Sequence, residues 1–193
     1  MALVTASPLL LAVAGLVHPS TLNGSTAHHW AVLHIALLPV FPLVAVGFIL
    51  PVRGSPRNLF TVLAWAAAFV YACFYTGLDA VAGIAAGTLV QRSPQPIDRG
   101  LLVNPLYQVG DKLGHIGAYA FIVAALMMCI ALYPRHGMRV VPGGVVLVSA
   151  GWSFLDSHIF WPRGVVTMLG FAVGFALMVW ATEADHRRVP TER

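Results

Sequence analysis

The chain has 193 residues, of which 59% are hydrophobic and only 9% charged, and its mean hydropathy is +0.82. A soluble domain carries about 25% charged residues, so a water-soluble globule is excluded and lipid must be the solvent for much of the surface. The formal charge is +4 and ten of the eleven cations are arginines spread over loops, which rules out a clustered nucleic-acid-binding surface. The expected fold class is therefore an all-α integral membrane protein, a single domain over 1–182 with a bundle of six transmembrane helices and a cytoplasmic tail over 183–193. An Ala-, Val- and Gly-rich composition with a single lysine points to the cytoplasmic membrane of a bacterium.

The first helix is expected over about 2–17, retained rather than cleaved because no positive region precedes its apolar run. Pro19, Asn23 and Gly24 mark a turn-rich loop. A second helix over about 29–50 contains Pro39 and Pro42 and should kink near its middle. The third starts near 58 and runs to 82, with an apolar pattern continuing to 90. At 1.5 Å per residue that is about 50 Å, too long for a straight crossing of a hydrocarbon core of about 30 Å. A break near Gly77 or Gly83, or a projection beyond the membrane, is expected. Helices over about 109–133, 143–160 and 164–181 complete the set. The Gly83/Gly87, Gly110/Gly114 and Gly170/Gly174 spacings suit close helix packing in lipid.

Orientation follows from the cations. Arg53, Arg57, Arg135, Arg139, Arg187, Arg188 and Arg193 follow helices 2, 4 and 6, whereas Arg92, Arg99, Lys112 and Arg163 belong to the other side. Seven against four places both termini in the cytoplasm.

That topology sends six histidines to one end of the bundle: His18, His28, His29, His34, His115 and His158. Asp79, Asp111 and Asp156 reach similar depth, and only His136 and His186 fall on the opposite side. Asp111, His115 and Tyr119 form one stripe four residues apart, as do Tyr75 and Asp79. His29 and His34 are about 140° apart around their helix. Asp156 and His158, two apart, point to nearly opposite sides, so at most one faces the bundle centre. His18, His28 and His29 also suit the membrane–water boundary, and Asp111 suits a solvated helix start. Met127, Met128 and Cys129 read as core filling, and Cys73 and Cys129 as free thiols.

Ionisable groups in hydrocarbon cost several kcal/mol and usually find partners inside the bundle. Imidazole with carboxylate suits zinc, copper or iron. The candidate metal ligands are His18, His34, His115, His158, Asp79 and Asp156, with Asp79 or Asp156 as ligand, ring orienter or general base. The leading expectation is a membrane-embedded metal-binding protein with this site at the outer face, possessing the parts of a metal-dependent enzyme for a lipid-like substrate. Three alternatives stand beside it: a b-type haem protein clamped by paired histidines such as His34 and His115, a metal-free acid–base enzyme on a lipid or isoprenoid, and a structural subunit whose polar layer serves packing. No HExxH motif is present, so the signal is a constellation.

Asp111-Lys112-Leu113-Gly114-His115-Ile116-Gly117-Ala118-Tyr119 resembles the Asp-Lys-x-x-His opening of a helix in VanZ-like membrane proteins, over about fifteen residues, 111–125. Asp156 ahead of an apolar, glycine-containing last helix is compatible with that family, but the glutamate and glutamine expected before the last helix are missing, and the four upstream histidines, His18, His28, His29 and His34, have no counterpart. The resemblance implies a role for Asp111 and His115 beyond the interface.

Overall fold

A computed structural model describes residues 1–54, 58–93 and 98–186, apart from the side chains of residues 99 and 184–186. Among the described residues every regular element is helical. Helix α1 spans Ala2–Val17 and α2 Ala27–Leu37, followed by the short α3, Val40–Leu43, and α4, Val46–Ile49. The interruptions fall at Leu38–Pro39 and at Val44–Ala45, just past Pro42, and the two prolines weaken the ladder through their missing amide protons and ring bulk. Helix α5, Leu59–Leu78, begins at Asn58, whose Oδ1 accepts from the Thr61 amide at 3.0 Å.

The chain then passes without interruption through a π-helical stretch, Asp79–Ala85, into α6, Ala86–Arg92. The long third helix is therefore not broken at Gly77 or Gly83. It is re-phased between them, because a π turn adds a residue and rotates all that follows. After α7, Arg99–Leu102, helix α8 runs over Asn104–His136, starting ahead of the expected 109. Gly137 ends it with φ +56, a conformation glycine adopts without a Cβ penalty. A 3₁₀ turn, Gly137–Val140, leads into α9, Val141–Ser157, and the last helix is α10, Arg163–His186.

Small residues set how these helices meet. Gly117 faces Tyr75, Gly114 faces Leu78 and Gly110 faces Ala82, so α8 runs antiparallel to α5 and its π extension. Gly144 meets Cys129 and Gly151 meets Phe121 and Ile122, which makes α9 antiparallel to α8. Gly143 and Gly174 face Met178 and Leu147, which makes α10 antiparallel to α9. The glycine pairs along the sequence are thus contact seams. The core between them is aromatic: Phe48, Tyr71, Tyr75, Phe121, Phe154, Phe171 and Phe175 are fully or nearly fully buried.

Four helical stretches are long and apolar enough to cross a membrane: Ala27–Ile49, Leu59–Arg92, Asn104–Ser157 and Arg163–Glu183. Ala2–Val17 is a shorter apolar helix. The outward faces are apolar too, with Leu3, Leu10, Val13, Phe69 and Val166 more than half exposed. Such a surface is costly in water and is what lipid solvates.

Candidate metal centre

Three separate segments deliver an imidazole to one point at one end of the bundle. His18 follows the last residue of α1, His34 lies two turns into α2, and His158 follows the last residue of α9. One ring nitrogen of each lies within 4.8 Å of the others. The His34 and His158 rings are parallel, 4° between planes, and His18 stands at 85° and 88° to them. Trp30 and Phe160 pack edge-on to His18 at centroid distances of 4.8 and 4.5 Å.

Hydrogen bonds fix which nitrogen faces inward. His18 Nδ1 is 2.8 Å from the Pro19 carbonyl and His34 Nδ1 is 2.7 Å from the Trp30 carbonyl. A carbonyl oxygen can only accept, so both Nδ1 atoms carry the proton and donate it. In the neutral rings both Nε2 atoms therefore hold a lone pair, and these two atoms face each other at 3.5 Å. No hydrogen bond joins two lone pairs. Two nitrogens about 2.1 Å from one tetrahedral ion lie about 3.4 Å apart. Protonating one ring is the competing remedy, and burial opposes it: His18, in the loop after α1, has its pKa lowered by burial to about 4, helped by the neighbouring His34, against the Pro19 hydrogen bond. His158, after the end of α9, is likewise held well below the usual value by burial and by its two histidine neighbours.

His158 is held by unusual means. Its φ is +43 with ψ −129, a region that a residue with a Cβ enters at a cost of about 1–3 kcal/mol. Its ring stacks near Phe41 and Tyr75, and its Nδ1 is 2.8 Å from Tyr75 Oη. When that Nδ1–H donates to the phenol oxygen, the Nε2 lone pair is free; this buried atom has no hydrogen-bond partner among the described residues.

Asp79 opens the π stretch, and its side chain is fully buried. Its Oδ1 lies 3.9 Å from His34 Nε2, and neither carboxyl oxygen has a hydrogen-bond partner among the described residues. A ring-orienting carboxylate accepts from the nitrogen remote from the metal, but that nitrogen of His34 is already bonded to Trp30. Asp79 stands on the inward side, where it can ligate or take a proton. π bulges are frequent at functional sites. Here one stretch supplies both the carboxyl and Gly83, whose absent Cβ leaves room for the His34 ring.

No protein-family model, curated protein or solved structure matches the chain. The chemistry of the end layer must therefore be read from its own geometry.

The structure does not bring His115 or Asp156 into this group. His115 is exposed, with Nδ1 donating to its own helix at the Asp111 carbonyl, 2.6 Å away. The Asp156 side chain is 67% exposed and faces Arg163 at 3.7 Å, so of the pair two residues apart it is His158 that turns inward. Both line a neighbouring cavity of about 300 Å³ that His158 and Tyr75 also border. His28 and His29 are exposed, and Gln91 donates to His28 at 3.1 Å. The Asp111–His115–Tyr119 stripe thus borders the centre, through Asp111 and His115, without entering it. The sequence reading gives no site role to Trp30, Tyr75 or Gly83: it sees the Tyr75–Asp79 stripe and treats Gly83 as a packing or break position, and the four-residue Trp30–His34 spacing is the signal left unused.

Proposed function

We propose that the chain is a multi-pass protein of the bacterial cytoplasmic membrane that binds one divalent transition-metal ion among His18, His34 and His158, with Asp79 supplying the nearby negative charge. The reading takes six crossings, both termini in the cytoplasm and the centre beneath the outer face. The alternation of antiparallel helices and the seven-to-four arginine and lysine distribution support it. Three imidazoles and a carboxylate favour an ion of zinc's class, with copper and iron as neighbours in the same series.

The observation that carries the proposal is the pair of facing, unprotonated Nε2 atoms at 3.5 Å. A packing network would turn a donor toward an acceptor; here acceptor faces acceptor, in a buried place, with a third unpartnered nitrogen and an unpartnered carboxyl beside them. A cation among the three imidazoles answers them together, with the carboxyl close by beside His34. A haem suits the arrangement less, since its two axial ligands must stand on opposite faces of a wide macrocycle, and here a third ring and Asp79 crowd the same point.

The test is elemental analysis of protein purified in detergent after growth with added zinc. The expected result is about one ion per chain in the wild type and a large loss in His34→Ala. Wild-type protein that stays metal-free, while remaining folded by circular dichroism, overturns the proposal. A Soret band in the visible spectrum would move the assignment to haem.

A further inference from the structure

A buried ion can be sealed in as a brace or can keep a face for an incoming ligand. We infer that this centre keeps such a face, opening into a chamber for a small ligand with an oxygen head group and an aromatic or apolar body. The inference rests on the metal reading above.

A cavity of about 380 Å³ adjoins the cluster, within the range of small-molecule sites. His34 and His158 form part of its wall, so a molecule in the cavity touches two of the three imidazoles. Asp79 is absent from that wall and stands beside His34 instead. An ion among the three rings therefore has the carboxyl on one side and the chamber on another. The remaining wall is largely aromatic and aliphatic, with Trp30, Tyr107, Phe160 and Leu78 around it. Trp30 is fixed there by donating its Nε1–H to the Ala82 carbonyl at 3.3 Å. The rim is polar: Ser20 and Thr21, in the loop between α1 and α2, are exposed at the mouth, and Asp111 borders it from α8.

This division selects a ligand class. The deep end offers coordination to a Lewis base, the walls offer apolar area, and the mouth offers water. A hydroxamate, carboxylate or phenolate head carried on an aromatic body fits all three. A hydrated inorganic ion fits only the first. Burying a phenyl group against such walls should tighten binding by about tenfold or more.

The experiment uses the full chain in detergent, loaded with cobalt(II), whose visible absorption reports its coordination. Acetohydroxamate and benzohydroxamate are titrated against wild type and Ser20→Trp, a rim change that touches no ligand. The expected result is a saturable spectral change, benzohydroxamate binding about tenfold or more tighter, and Ser20→Trp holding cobalt normally but weakening benzohydroxamate about tenfold. Cobalt that binds but ignores both hydroxamates shows a closed centre and overturns this inference while leaving the metal reading intact. Wild-type protein that binds no cobalt overturns the metal reading and this inference with it. Undiminished binding in cobalt-loaded Ser20→Trp shows that the ligand reaches the ion elsewhere and overturns the chamber.

Discussion

His34 and His115 make the same local hydrogen bond. Each donates Nδ1–H to the carbonyl four residues earlier in its own helix, at 2.7 Å to Trp30 and 2.6 Å to Asp111. Each thereby presents a bare Nε2, and each has an aspartate nearby. They differ in what that nitrogen meets. His34 is buried and faces His18, His158 and Asp79; His115 is exposed on a wall it shares with Asp111 and Asp156. A ring prepared by its own helix is thus a common local arrangement. Convergence of several rings in a buried or half-buried place makes a candidate ion site.

The sharpest way to break the comparison is to remove each ring in turn. His34→Ala should lower zinc affinity by more than about a hundredfold, exceeding the tenfold to hundredfold typical of outer-shell changes. His115→Ala should leave affinity within about twofold. Competition with a coloured chelator reads both. Equal losses would mean that the ion spans the two groups, and the separation drawn here would fail.

A smaller but more specific effect is expected from a residue that ligates nothing. A Cβ on Gly83 would collide with the His34 ring, whereas on Gly77 it would meet only Leu113 Cδ1, at 3.3 Å. Gly83→Ala should therefore weaken zinc by about ten- to a hundredfold by moving a ligand, while Gly77→Ala changes it little. Identical affinities in the two variants would show that His34 is not held against the π stretch.

Tyr75→Phe comes next. The phenol oxygen is the partner of His158 Nδ1, and without it the ring is free to place its proton on Nε2. Zinc affinity should fall about tenfold, with the fold preserved because Phe keeps the stacking on Phe154. Unchanged affinity would remove Tyr75 from the centre.

These cases show what was legible in the chain and what was not. Alternating helices delivered His18, His34, Asp79 and His158 to one layer, and the count of polar residues at helix ends was enough to suggest it. The two-residue separation of Asp156 and His158 told that at most one turns inward, but not which. That depended on where α9 stops: the helix ends at Ser157, and His158 takes a positive φ that no spacing rule anticipates. The phase of the third helix was hidden for a similar reason. A π stretch beginning at Asp79 rotates every later residue, so Gly83 and Gly87 face α2 by an angle that a uniform helical period does not give. His115 looked like a ligand because depth was readable, whereas exposure depended on packing between helices far apart in sequence.

The smallest expected effect concerns pH, and it sharpens the contrast between buried and exposed imidazole. A proton and a metal ion compete for the same Nε2 lone pair. An ordinary imidazole, with a pKa near 6.5, loses about tenfold in metal affinity by pH 5.5. His18 has its pKa lowered to about 4 by burial, so its share of that loss should stay below about twofold until the pH nears that value. The sign also holds without metal. Between 6.5 and about 4 the unfolded chain takes up a proton that folded His18 refuses, so the stability of the metal-free protein falls as pH falls through that window. Zinc retention after dialysis at pH 7, 6 and 5.5 should accordingly be nearly flat, while the melting temperature of the metal-free protein declines. A steep release of zinc between pH 7 and 6 would mean that water reaches the rings freely, and the centre would then belong with His115, on the solvated side of the comparison.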